Sequence, residues 1–116
     1  MVSPSVGSVI LVKFPFTDLS ATKLRPAAVL AFSGKGDWHG DWILSQITSN
    51  PYADINAVEI IDTDFGSGSL MRTSYVRPGK LFTANQSLMV KNVGQLNQSA
   101  FARIIKSVLS ILQPPH

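Results

Sequence analysis

The sequence predicts a mainly β domain: a small, strongly bent antiparallel barrel closed by one C-terminal helix. Three observations point there. Short β-branched and apolar runs recur between residues 7 and 96, each ended by proline, glycine or a polar stretch. Residues 41–48 alternate with a period of two, the mark of a half-buried strand. Only the last segment spaces its apolar residues at helical period. At 116 residues the chain is expected to form a single domain, 1–116, large enough for a modest core.

The first strand is expected over 7–14, a β-branched run stopped by Pro15. Residues 15–24 form a polar connection longer than a strand pair needs for its turn, and such loops often carry function. The second strand is expected over 26–32, because proline lacks an N–H and suits a strand's first residue. A glycine-rich turn over 33–40 leads to the third strand, 41–48. Its alternation puts Trp42, Leu44, Gln46 and Thr48 on one face, and Ile43, Ser45 and Ile47 on the other. The first of these faces passes from apolar to polar, so Gln46 and Thr48 emerge side by side at its end.

A second long loop, 49–56, contains Tyr52. Further strands are expected over 57–61, 74–77, 80–83 and 87–95, with a turn at 62–69 and a break at Pro78-Gly79. The helix is expected at about 98–112, where Phe101, Ile104, Ile105, Val108, Leu109 and Leu112 form one apolar stripe. Asn97 is its natural N-cap and Leu96 can staple to Phe101. The stripe reads as a lid on the sheet, since a lone helix of this length is marginal in water.

Arg25 stands where the first long loop meets the second strand. Pro26 pushes it into an extended conformation, and its planar guanidinium matches phosphate geometry at any ordinary pH. The charge distribution bears on its partner. All seven acidic residues lie in the first 64 positions, whereas residues 65–116 hold six bases and no acid. With four bases in the first 64 positions, the two parts carry −3 and +6. A one-signed segment suits an anionic partner, either nucleic acid or an acidic protein tail, although scattered solubilising bases account for it equally.

Several classes of chemistry are excluded or disfavoured. The chain has no cysteine, so disulfides, thiolate metal sites and cysteine nucleophiles are out. There is no H-x-x-H pair, calcium-loop spacing, phosphate-binding G-x-x-x-x-G-K-[ST] or G-x-S-x-G, and no cofactor is implied. No apolar run is long enough to span a bilayer, and no basic-then-apolar leader opens the chain, so a cytoplasmic protein without membrane contact is expected. Of the two histidines, His39 falls in the glycine-rich turn and His116 is terminal.

Four stretches, in order, resemble the MazF/PemK family of toxins of bacterial toxin–antitoxin pairs, in particular its PemK-like branch. They are Gly7-Ser8-Val9-Ile10-Leu11-Val12 leading into Phe14-Pro15-Phe16-Thr17-Asp18-Leu19-Ser20; Leu24-Arg25-Pro26-Ala27; Gln46-Ile47-Thr48-Ser49; and Ser74-Tyr75-Val76-Arg77-Pro78 with Lys80-Leu81-Phe82-Thr83. The resemblance implies an SH3-like β-barrel with a terminal helix, homodimeric, acting as a metal-independent and sequence-selective endoribonuclease on single-stranded RNA. Its partner would be a cognate antitoxin whose acidic or amphipathic tail covers the cleft and the basic half. Arg25 and Thr48 fall on the family's catalytic pair, Ser49 on the neighbouring hydroxyl, and Arg77 on an arginine implicated in cleavage in one branch. Gln46, Lys23, Lys80 and Asp18 join Ser49 and Arg77 as expected RNA contacts.

The resemblance also exposes a gap. In the branch that uses the counterpart of Arg77, an aspartate two residues later takes part, and here that position is Gly79. Either the general-base role passes to Asp18 or another loop residue, or the barrel has become a binding module that cuts poorly. A non-catalytic relative that binds antitoxin or poisons gyrase is the competing reading. The intact Arg25/Thr48 pair opposes it.

Overall fold

The computed structural model describes residues 2–15, 22–34 and 40–114, with Pro15 and Thr22 described in backbone only. Among the described residues, seven strands and one α-helix follow in order, with 3₁₀ turns at Asp62–Asp64 and Gln86–Leu88: β1 (Ser8–Pro15), β2 (Thr22–Gly34), β3 (Asp41–Thr48), β4 (Val58–Ile60), β5 (Phe65–Gly68), β6 (Ser74–Asn85), β7 (Met89–Leu96) and α1 (Gln98–Leu112). All paired strands are antiparallel, in the order β4-β6-β3-β2-β1-β7-β5. The expected barrel is therefore an open sheet, with β4 and β5 as its edges.

Each face of the sheet carries its own core. On one, Val9, Ala28, Leu30, Ile47 and Val76 meet Ala100, Ile104 and Val108 of α1. On the other, Ile10, Val12, Ala27, Val29, Leu44, Ala84 and Met89 pack together, with Trp42 and Phe82 against them. Strands buried on both faces read as continuous apolar runs, as β1 does. The helix lids the sheet as expected, with Asn97 Oδ1 accepting from the Ala100 N–H at 2.9 Å. The far edge of the stripe is left outside: Leu109 and Leu112 are exposed.

Three elements differ from the sequence reading, and each difference bears on the site. First, β2 begins at Thr22, so Lys23 and Arg25 sit within a strand and not at a loop's mouth. Proline is tolerated at position 26 because β2 pairs there with β1 alone; its ladder with β3 opens only at Ala27↔Gln46. Second, β6 runs through Pro78-Gly79 without a break. The register jumps from Gln46↔Arg77 to Ser45↔Leu81, so residues 78–80 bulge out of the ladder with β3. Third, residues 65–68, expected as a turn, form the short edge strand β5.

The bulge is held by Ser45, a fully buried hydroxyl that donates to the Arg77 carbonyl at 2.6 Å. The bond lies where the register shifts, next to the last ladder pair before the bulge, Gln46↔Arg77. Ser45→Ala leaves a polar group without a partner and is expected to lower stability by about 1–3 kcal/mol, read by urea unfolding.

Candidate functional site

The register decides which side chains meet. Directly paired residues of antiparallel strands point to the same face. Val12↔Arg25, Ala27↔Gln46 and Gln46↔Arg77 therefore put Arg25, Gln46 and Arg77 on one face, and Thr48 joins them two residues beyond Gln46. This is the face whose apolar half is the Ile10–Leu44 core. Where that core ends, the same face becomes polar, as the alternation in β3 predicts.

Two adjoining clefts open at this polar end. One, of about 260 Å³, is lined by Arg25, Pro26, Thr48, Ser49, Arg72 and Ser74 with Ile47 and Leu70. The other, of about 180 Å³, is lined by Arg25, Gln46, Ile47, Thr48, Tyr52 and Arg77. Arg25 and Thr48 line both, so the clefts form one groove with this pair at its middle. Of the residues expected from the sequence, Arg25, Thr48, Ser49, Gln46 and Arg77 come together here. Lys23, exposed on β2, and Lys80, in the bulge, line neither cleft. Asp18, like His39 and His116, lies outside the described residues.

The Thr48 hydroxyl is engaged. It donates to the Asn50 carbonyl at 3.0 Å and accepts from the Asn50 N–H at 3.2 Å, tying the end of β3 to the loop that follows. Asn50 in turn holds Tyr52, its Oδ1 accepting from the Tyr52 N–H at 2.9 Å. Tyr52 has a φ of +56°, a backbone conformation uncommon for a bulky residue; it is 77% exposed and lines the same cleft as Arg77.

The same loop supplies a carboxylate that sequence reasoning missed. Arg77 Nε donates to Asp54 Oδ2 at 2.9 Å, and both side chains are largely buried, 23% and 13% exposed. The Arg77 hydrogen bond holds the Asp54 carboxyl below the ordinary carboxylate value, against desolvation, which pushes it up. The Asn56 N–H, bonded to Asp54 Oδ1 at 3.0 Å, and the charges of Arg77 and Lys80 lower it further. Position 79 is thus not the only route by which an acid reaches Arg77. Because the folded pKa lies below the unfolded one, the pair's contribution to stability is complete above about pH 4 and is lost as pH falls through the lowered folded value. Urea unfolding between pH 5 and pH 2 is expected to show that loss, and Asp54→Asn to remove this part of it.

The segregation of charge along the sequence is partly undone in space. Arg77 pairs with Asp54, and Arg103 Nη2 lies 3.1 Å from Asp64 Oδ1, so two bases of the second half are matched by acids of the first. Arg25, Arg72 and Arg77 bring positive charge to the groove.

No family model matches this chain, and no curated protein matches it. Solved structures do. A MazE–MazF complex from Deinococcus radiodurans superposes with a TM-score of 0.72 at 17% identity, over 97% of each chain. An endoribonuclease in complex with its cognate antitoxin from a mycobacterial species gives 0.69 at 15% identity, over 100% of this chain and 99% of that one. The Mycobacterium tuberculosis toxin MazF-mt6 gives 0.66 at 14% identity, over 94% and 99%. Identities this low with coverage this complete speak for the backbone, and the fold of this chain is that of the MazF toxins.

Proposed function

We propose that this protein is the toxin of a toxin–antitoxin pair and acts as a metal-independent, sequence-selective endoribonuclease on single-stranded RNA. The observation that carries the reading is the convergence of Arg25, Thr48, Gln46 and Arg77 from three strands on one groove, on a fold it shares with endoribonuclease toxins. An RNA strand brings its own nucleophile. The 2′-OH gives up its proton to solvent as its oxygen attacks the adjacent phosphorus, the 5′-oxygen of the next nucleotide leaves and takes a proton from solvent, and the products carry a 2′,3′-cyclic phosphate and a 5′-OH. The protein has to hold the strand in line and stabilise the charge that builds on the non-bridging oxygens.

Arg25 clamps those oxygens and Thr48 donates its hydroxyl hydrogen to the same group. Thr48 has one proton to give, now bonded to the Asn50 carbonyl, so substrate binding exchanges that bond for one to phosphate. The second cation is Arg77, and Asp54 is its positioning residue. Arg77 lines the groove with its Nε fixed by the carboxylate. Asp54 is ill suited to take the 2′-proton, since its lowered pKa makes it a weak base. Gln46 and Ser49 line the walls on either side of the phosphate, where they contact sugar or base.

The same reading makes the protein a homodimer in the cytoplasm whose groove a cognate antitoxin blocks in competition with RNA. The structural neighbours support the antitoxin, two of them being complexes with one. The test of the activity is incubation with a long unstructured RNA in EDTA. Discrete fragments are expected. An intact RNA, bound or unbound, would turn the reading towards a non-catalytic module.

A further inference from the structure

Arg72 borders two spaces. On one side it lines the cleft that holds Arg25, Thr48 and Ser49; on the other it lines a separate cleft of about 360 Å³ with Ile61, Asp62, Thr63, Met71 and Thr73. We infer that this second cleft is a base-selecting subsite for a nucleotide flanking the scissile phosphate, and that it takes a base whose pairing edge presents hydrogen-bond donors, guanine foremost. The inference rests on the ribonuclease reading and specifies how that site chooses its sequence.

The chemistry of the cleft separates into a cation at its mouth, apolar walls and an acceptor. Arg72, exposed at the boundary, is placed for the phosphate or sugar linking the two nucleotides. Met71 and Ile61 supply apolar surface against which a base can lie. Met71 has a φ of +64° and is 85% exposed. It and Tyr52 are the two non-glycine residues at positive φ among the described residues; Tyr52 lines the groove and Met71 the separate cleft. Met71 is held in place by its N–H, which donates to Ser69 Oγ at 2.8 Å.

Asp62 provides the acceptor. Its Oδ1 accepts from the Ser69 hydroxyl, which orients the carboxylate, and it forms no ion pair among the described residues. The neighbouring acid of the same turn is already spent: Asp64 accepts from the Ile61 N–H at 2.9 Å and pairs with Arg103. An oriented carboxylate on a single-stranded site reads the Watson–Crick edge of an unpaired base. Guanine offers two adjacent donors there, N1–H and the N2 amino group. Adenine and cytosine offer one amino group each. Uracil offers one N–H between two carbonyl oxygens, which the carboxylate repels.

The experiment uses 2′-O-methyl uridine octamers carrying one central guanosine, adenosine, cytidine or uridine. The methyl group removes the nucleophile, so binding is read apart from cleavage, and the strand slides to seat its preferred base. By fluorescence anisotropy the guanosine octamer is expected to bind about tenfold tighter than the all-uridine one. Asp62→Asn should abolish that preference and leave all-uridine binding no weaker. Arg72→Ala should weaken all four by the same factor and reduce the salt dependence. Both side chains are exposed, so folding is not at issue. Equal affinities for all four octamers, or a guanosine preference that survives Asp62→Asn, in a protein that still cuts RNA would overturn the subsite alone. A wild type that neither binds an octamer nor cuts RNA overturns the ribonuclease reading and the subsite with it.

Discussion

Replacing Arg25 with alanine is expected to reduce the rate of RNA cleavage by about 10³-fold or more while leaving the fold intact. Arg25 is the side chain that both inner clefts share with Thr48, and its charge meets phosphoryl oxygens that become more negative as the 2′-oxygen attacks. An interaction that strengthens towards the transition state is lost from kcat, not only from KM. Lysine at the same position keeps the charge and loses the planar fork, so Arg25→Lys should recover only part of the rate. Arg25 is exposed, so the unfolding midpoint is expected to stay close to wild type in both variants. Single-turnover cleavage of a labelled RNA, beside thermal unfolding of each protein, checks the pair of statements. A rate within a few-fold of wild type for the alanine variant would remove Arg25 from the chemistry.

Asp54→Ala is expected to have the second largest effect, about 10²-fold on kcat, although Asp54 itself does not touch the phosphate. Removing the carboxylate frees Arg77 Nε, and the guanidinium then samples rotamers that no longer face the groove. Two readouts separate this positioning role from a merely structural one. Asp54→Asn keeps an acceptor for Nε and should recover much of the rate. KM should change less than kcat, because ground-state binding draws mainly on Arg25 and Arg72. The combination Asp54→Ala with Arg77→Ala should be no slower than Arg77→Ala alone, the non-additivity expected when one residue acts through the other.

How the site relates to its sequence can be argued residue by residue. The meeting of Gln46 and Thr48 was legible, because period-two alternation is a local property and β3 is regular from end to end. Which of its residues share a face follows from residue types within eight places of one another. Arg25 was legible as a candidate but misplaced. The missing N–H of Pro26 reads as a strand start, and only the register shows that β3 has not yet joined the ladder there, so the strand extends back to Thr22. Pro78-Gly79 read as a break for the same reason, whereas a bulge satisfied by Ser45 carries β6 through it.

β5 was hidden by its composition. Two glycines and a serine in four residues look like a turn, and its pairing with β7 depends on Gly94, where any Cβ would strike the Phe65 ring at 2.7 Å. Asp54 could not be found from spacing at all. It lies 23 residues from Arg77 on a loop, and nothing local announces that the loop folds back over the groove. A resemblance that expected the acid two residues after Arg77 drew attention to an empty position, while the carboxylate arrives from another element.

The measurement that tests the account most directly is the chemistry of the product ends. Purified protein is incubated with a long single-stranded RNA in EDTA, and the fragments are analysed by mass spectrometry and by direct 5′ labelling with a kinase. The account predicts 2′,3′-cyclic phosphates on one side of each cut and 5′-hydroxyls that accept label without prior phosphatase, with no cut at a position carrying a 2′-deoxy sugar. Fragments bearing 5′-phosphates and 3′-hydroxyls, or cleavage that persists at a 2′-deoxy position, would contradict it, since neither can arise from attack by the RNA's own 2′-oxygen.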